Sequence, residues 1–85
     1  MKILSTPRFL RDYANLDAAI QRRVDKQLKL FLENPKHPSL RIHKMEGYSD
    51  IYEARVTKGY RFTFQVFGDS YILRRVGTHD ILKTP

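Results

Sequence analysis

The apolar positions of this chain change period once. In "LDAAIQRRVDKQLKLFLEN", Leu16, Ile20, Val24, Leu28 and Phe31 recur at spacings of four, four, four and three. Residues three and four apart share a helical face, so this is one apolar stripe. Arg22, Arg23, Lys26 and Lys29 flank it, and Asn34 before Pro35 ends it, because a residue preceding proline is driven out of the helical region. A shorter helix comes first. Thr6 before Pro7 reads as an N-cap with proline at the first helical position, and Phe9, Leu10 and Tyr13 mark one face. "MKILS" fits a short strand ahead of it.

Beyond the loop "PKHPS" the period falls to 2. "SLRIHKM", "IYEARV", "YRFTFQVF" and "SYILRRV" read as strands. "TKG" fits a three-residue hairpin loop with Gly59 left-handed, and Gly68-Asp69 a two-residue turn. The predicted class is α+β: a short N-terminal strand, a two-helix hairpin, then an antiparallel meander of three to four strands, in a single domain over residues 1–85.

These turns set a register. Val56 faces Tyr60, Ala54 faces Phe62 and Tyr52 faces Phe64, which makes a core face to pack on the helices. The other face sets Arg55 against Arg61 and Glu53 against Thr63. Across the next hairpin, Thr63 faces Arg74 and Arg61 faces Val76. Opposed arginines destabilise a sheet unless something compensates. Either both side chains splay into water, or Glu53 and a bound phosphate offset them, since guanidinium forks match phosphate oxygens. Arg75 falls on the core face opposite Phe62. It either snorkels out at the edge or pairs with Asp12 or Asp25.

Composition adds a partner class. The net charge is +7 and the pI about 10.0, which favours an anionic partner, nucleic acid or an acidic protein. Residues 1–35 hold seven Lys/Arg against four Asp/Glu, and residues 36–85 hold nine against five, so the fold and not a tail must gather the excess. With no cysteine there is no disulfide framework. No run has the length of a signal peptide or membrane span, and a cytoplasmic protein without membrane contact is expected.

The histidines are His37, in a loop; His43, on a strand of unsettled parity; and His79, just past the last strand. They lack metal-ligand spacing, and neither metal nor cofactor is expected. Histidine, carboxylate and arginine at one end of an open sheet face suit metal-free RNA cleavage. Histidine moves protons near neutral pH, whereas arginine stays charged and stabilises the phosphate. On this basis His79, Arg61, Arg55, His43 and Glu53 are candidate catalytic residues, and Lys44, Lys58 and Arg74 candidate RNA or phosphate contacts.

The order of elements resembles the RelE/ParE superfamily of toxins from bacterial toxin–antitoxin pairs. "KGYRFTFQV" is similar to the family's "GYR" hairpin and strand, and "RRVGTHDIL" to the "GTH" ending of the YafQ-like branch of RelE mRNA endonucleases. "HKMEG" resembles a histidine–glycine segment of that branch. The resemblance implies a ribosome-dependent mRNA endonuclease, acting in the ribosomal A site and restrained by an acidic cognate antitoxin. By matched position it implies roles for Arg61 of "GYR", His79 of "GTH", Arg55 and His43. Glu53 rests on facing geometry alone; RelE has a lysine there. The alternative within the same fold is a non-cleaving module: a ParE-like gyrase inhibitor, or a decayed toxin that only binds its antitoxin.

Overall fold

The computed structural model describes all residues, 1–85. Strand β1 (Lys2–Ser5) is followed by helices α1 (Pro7–Ala14) and α2 (Ala18–Glu33), then strands β2 (His43–Lys44), β3 (Tyr52–Thr57), β4 (Tyr60–Phe67) and β5 (Ser70–Gly77). Short 3-10 turns occupy Pro38–Leu40 and His79–Lys83. The class is α+β, as the change of period predicts. The five strands run in the order β1-β5-β4-β3-β2. Only the β1–β5 pair is parallel.

Local chemistry starts both helices. Thr6 Oγ1 accepts from Phe9 N at 3.1 Å, with Pro7 next. Asp17, not Leu16, starts α2, accepting from Ile20 N at 2.9 Å. Each such cap stabilises by about 1 kcal/mol. The apolar faces meet over the sheet. Phe31 of α2 packs edge-on against Phe62 at 5.5 Å between centroids and lies 4.2 Å from Tyr71. Val24, Leu40, Ala54, Phe62 and Leu73 are wholly buried. Leu10 departs from expectation: it is exposed, and Phe9 and Tyr13 alone carry the contact face of α1.

Three strand expectations need correction. "SLRIHKM" forms only the two-residue β2, because Pro38–Leu40 is wound into a 3-10 turn that plugs Leu40 into the core. Arg41 then takes a left-handed conformation, φ 46, which breaks any extended run and costs a non-glycine residue on the order of 1–2 kcal/mol.

The β3–β4 register holds for Tyr52–Phe64, Glu53–Thr63, Ala54–Phe62 and Arg55–Arg61, but Tyr60 pairs with Thr57 instead of Val56. Val56 sits in an irregularity, so the loop shrinks to Lys58-Gly59, and Gly59 is not among the left-handed residues. The Gly68-Asp69 turn is as predicted, with Gly68 at φ 59.

The β4–β5 register then slips between Phe64–Leu73 and Thr63–Arg75. Arg74 is the extra residue of a bulge. Thr63 therefore pairs with Arg75 and not Arg74, Phe62 with Val76 and not Arg75, and Arg61 with Gly77 and not Val76. The cause is packing. Leu73 and Val76 are both buried, and three residues apart they cannot share a face of a period-2 strand without an insertion.

The bulge also separates the two arginines. Arg75 Nε and Nη2 reach Asp12 Oδ2 and Oδ1 on α1 at 2.8 and 3.2 Å, and Val76 N donates to the same carboxylate at 3.2 Å. Of the expected outcomes for Arg75, pairing with Asp12 is the one observed. Arg74 instead donates to the Pro85 carbonyl oxygen at 3.0 Å and to Gln65 Oε1 at 2.7 Å.

Candidate functional site

Glu53 is the centre of the open-face cluster. Its side chain is only 10% exposed and lies between two cationic groups. Oε1 accepts from Arg61 Nε at 2.9 Å, and Oε2 lies 3.0 Å from His43 Nε2. A buried carboxylate is costly unless paired and hydrogen-bonded, and here each oxygen has its own partner. The β-ladders explain the meeting. Glu53 pairs with Thr63 on one side and His43 on the other, with Arg61 one diagonal step away.

His43 is presented by the short β2, with its side chain 62% exposed. Its Nδ1 lies 3.2 Å from the Arg41 carbonyl oxygen. Both ring nitrogens therefore face acceptors. A neutral ring donates to one of them and a protonated ring to both. The left-handed turn at Arg41 aims that carbonyl, so the backbone feature that ended the predicted strand also orients the histidine.

Arg61 is tied at two ends. Besides Glu53, its Nη1 donates to the Thr57 carbonyl oxygen at 2.8 Å. Arg55, its cross-strand partner, has no ion pair and no side-chain hydrogen bond within the chain. It lines a cleft with α2 and the 37–41 turn. The opposed arginines thus take different surroundings: one is neutralised by Glu53 on the sheet face, the other faces the cleft.

The structure brings His43, Glu53 and Arg61 into direct contact and leaves the other candidates outside it. His79 opens the final 3-10 turn, exposed and without a side-chain hydrogen bond. Its approach is set by Gly77, which pairs with Arg61. Lys44 is exposed on β2, and Lys58 is exposed in the β3–β4 turn beside Arg55. Arg74 is held by Pro85 and Gln65.

Sequence reasoning missed Gln27, which is buried on α2 and donates to the Arg55 carbonyl oxygen at 3.0 Å. It also missed Tyr13, whose hydroxyl donates to Asp25 Oδ1 at 2.7 Å. The hydrogen bond to Asp25 first, then burial and the aspartate's charge, hold the Tyr13 phenol above its ordinary value of 10.0. Gln27 interrupts the α2 stripe as the one polar residue on its buried side, and that was its only visible signal.

Chemically, the cluster offers an accessible imidazole oriented by a carboxylate and a guanidinium fixed within reach of the same carboxylate. Such a set moves a proton and stabilises a phosphate without a metal.

The architecture around the cluster, a small α+β chain with two helices on one face of a five-stranded sheet, has counterparts among known proteins. A RelE-like toxin protein of Escherichia coli is 34% identical over 65 residues, 75% of this chain. The match spans 65% of that relative's length. The RelE of a RelB-RelE antitoxin-toxin complex from Methanococcus jannaschii superposes with a TM-score of 0.76 at 25% identity, covering 96% of this chain and 99% of the other. YafQ from E. coli shares the fold with a TM-score of 0.78 at 15% identity, covering 95% and 96%. No family profile matches the chain. The chain is similar in sequence to a RelE-like toxin, and its fold is that of the RelE/ParE toxin superfamily. YafQ, YoeB and RelE proteins all share its fold, and no single branch is singled out.

Proposed function

We propose that the protein is the toxin of a toxin–antitoxin pair and acts as a ribosome-dependent endoribonuclease, cutting mRNA in the A site. The observation that carries this reading is the contact of His43, Glu53 and Arg61 on an accessible sheet face of a strongly basic protein. In the proposed reaction, one histidine takes the ribose 2′-hydroxyl proton and a second group protonates the leaving 5′-oxygen. His43 and His79 are the candidates for these transfers. Arg61 and Arg55 stabilise the phosphate between them, while Lys44, Lys58 and Arg74 are candidate contacts along the RNA backbone. An acidic antitoxin that orders on binding is the matching restraint on a protein of this charge; the likeness to the toxin of a RelB-RelE complex supports it.

The test is induction of the protein alone, followed by primer extension on cellular mRNA and a purified translation reaction. Cuts within codons of ribosome-bound mRNA are expected, with none on naked RNA. Intact mRNA after induction overturns the reading.

A second reading, a non-cleaving binder of the same fold, is favoured by one observation: Glu53 holds Arg61 as an ordinary structural ion pair would. It expects growth arrest or antitoxin binding that survives His43→Ala together with His79→Ala.

A further inference from the structure

The strongest concentration of unused charge lies beside the Glu53 cluster and not within it. Arg23 and Lys26 of α2, His37 and Arg41 of the turn, and Arg55 and Lys58 at the end of β3 line one open cleft of about 640 Å³. No carboxylate lines it. The four ion pairs of the chain involve none of the five Lys/Arg, and none of those five side chains donates a hydrogen bond within the chain. Like charges gathered in a concavity repel one another, and the field they focus there favours a counter-anion.

We propose that this cleft binds the phosphodiester backbone of single-stranded nucleic acid. The site lies apart from the Glu53 cluster and is joined to it through Arg55. The proposal stands on the nucleic-acid part of the functional reading and not on cleavage.

Four features narrow the occupant to phosphates. Leu30 and Val56 are the only apolar residues in the lining, whereas an acidic peptide that folds on binding needs a row of apolar anchors. β3 runs past the end of the two-residue β2, and its Arg55 carbonyl is already engaged by Gln27, so strand addition is opposed there. His37 Nδ1 accepts from Ser39 N at 3.1 Å, which puts the neutral ring's hydrogen on Nε2 and makes the ring a donor. Arg41 keeps its left-handed backbone, a strained conformation of the kind that clusters at ligand clamps. Arginine forks suit phosphate oxygens in particular. Arg55 lines the cleft and pairs across the ladder with Arg61, so the cleft lies beside the strand pair that carries Glu53.

The experiment is fluorescence anisotropy with a dye-labelled single-stranded 2′-O-methyl RNA, which cannot be cleaved through its ribose, over a salt series. Arg23→Gln with Lys26→Gln removes two exposed charges of the cleft. Arg8→Gln with Arg11→Gln removes two exposed charges of α1, outside it. The cleft pair is expected to weaken binding and to flatten the slope of log affinity against log salt by about 1.4, at about 0.7 per lost contact on a single strand. The α1 pair is expected to leave the slope close to wild type. Arg41→Asn, which tolerates the left-handed backbone, gives a second probe with about half that change. A DNA strand of the same sequence is expected to bind within a few-fold, since the backbone is what is read.

Equal losses from the two double variants overturn the proposal, because overall charge then suffices. A DNA strand that fails to bind overturns it as well. So does displacement of the RNA by a glutamate-rich peptide at equal charge concentration, which makes the cleft a protein site. Cleavage is scored separately. If mRNA is never cut but anisotropy behaves as stated, the cleft stands and the nuclease reading falls.

Discussion

Arg61 and Glu53 form an ion pair on the open sheet face, guanidinium Nε to carboxylate Oε1 at 2.9 Å. The pair converts two opposed arginines into one neutralised and one free. Glu53→Gln keeps the shape and removes the charge. It is expected to destabilise the fold by about 1.5–3 kcal/mol, the range for hydrogen bonds to charged groups. A double-mutant cycle with Arg61→Ala, read by urea unfolding, should return a coupling of at least about 0.5 kcal/mol. Additive losses sink the idea that the contact contributes to stability.

Asp12 carries a larger share of the architecture. Its carboxylate receives Arg75 and the Val76 amide, and the ion pair is largely buried. Breaking a buried pair from one side costs about 3–5 kcal/mol, against about 5–15 kcal/mol of total stability for a small domain. Asp12→Ala and Arg75→Ala should each lower the urea midpoint sharply, and the double variant should lose much less than their sum. A wild-type midpoint in Asp12→Ala contradicts the assignment.

Gly77 is required for a spatial reason. A Cβ at this position meets Ile81 Cγ2 at 2.9 Å, and Ile81 is buried beneath the turn that begins with His79. Gly77→Ala should cost about 1–3 kcal/mol by overpacking and speed amide exchange in residues 79–83. Unchanged exchange shows that the turn absorbs a methyl group.

Tyr13 supplies the pH prediction. Its folded value is raised, so the folded state holds the phenol proton more tightly than the unfolded chain. The associated stability is fully present below the ordinary value of 10.0 and is lost as pH rises through the higher folded value. Ultraviolet titration should show that Tyr13→Phe removes a late-titrating phenol among the five tyrosines, and that Asp25→Asn brings that step earlier. A late step that persists in Tyr13→Phe assigns the raised value to another residue.

The element order and most of the first hairpin's pairing were legible because polarity alternates cleanly there: Tyr52, Ala54, Phe62 and Phe64 point one way and Glu53, Arg55, Arg61 and Thr63 the other. Thr6-Pro7 was legible because a cap is local chemistry. The bulge at Arg74 was missed although its signal was present, since Leu73 and Val76 are both buried but three apart. The contact of His43 with Glu53 was beyond reach because it depends on the left-handed Arg41 and a two-residue strand, neither of which follows from local preference. The basic cleft was invisible for a similar reason. Arg23 and Lys26 looked like an ordinary solvated helix flank until the 37–41 turn folded beside them.

The parallel pairing of β1 with β5 governs the order in which the molecule can assemble. The strand made first, Lys2–Ser5, has no partner until Ser70–Gly77 exists. Until β5 is made, β1 stays unpaired in the sheet, whereas α2 can already pack on β4 through Phe31. Long-range pairing of this kind comes late in folding. The Arg61–Gly77 pairing and the Asp12–Arg75 clasp wait on the same strand. The protein cannot close its sheet until almost the last of these residues has left the ribosome.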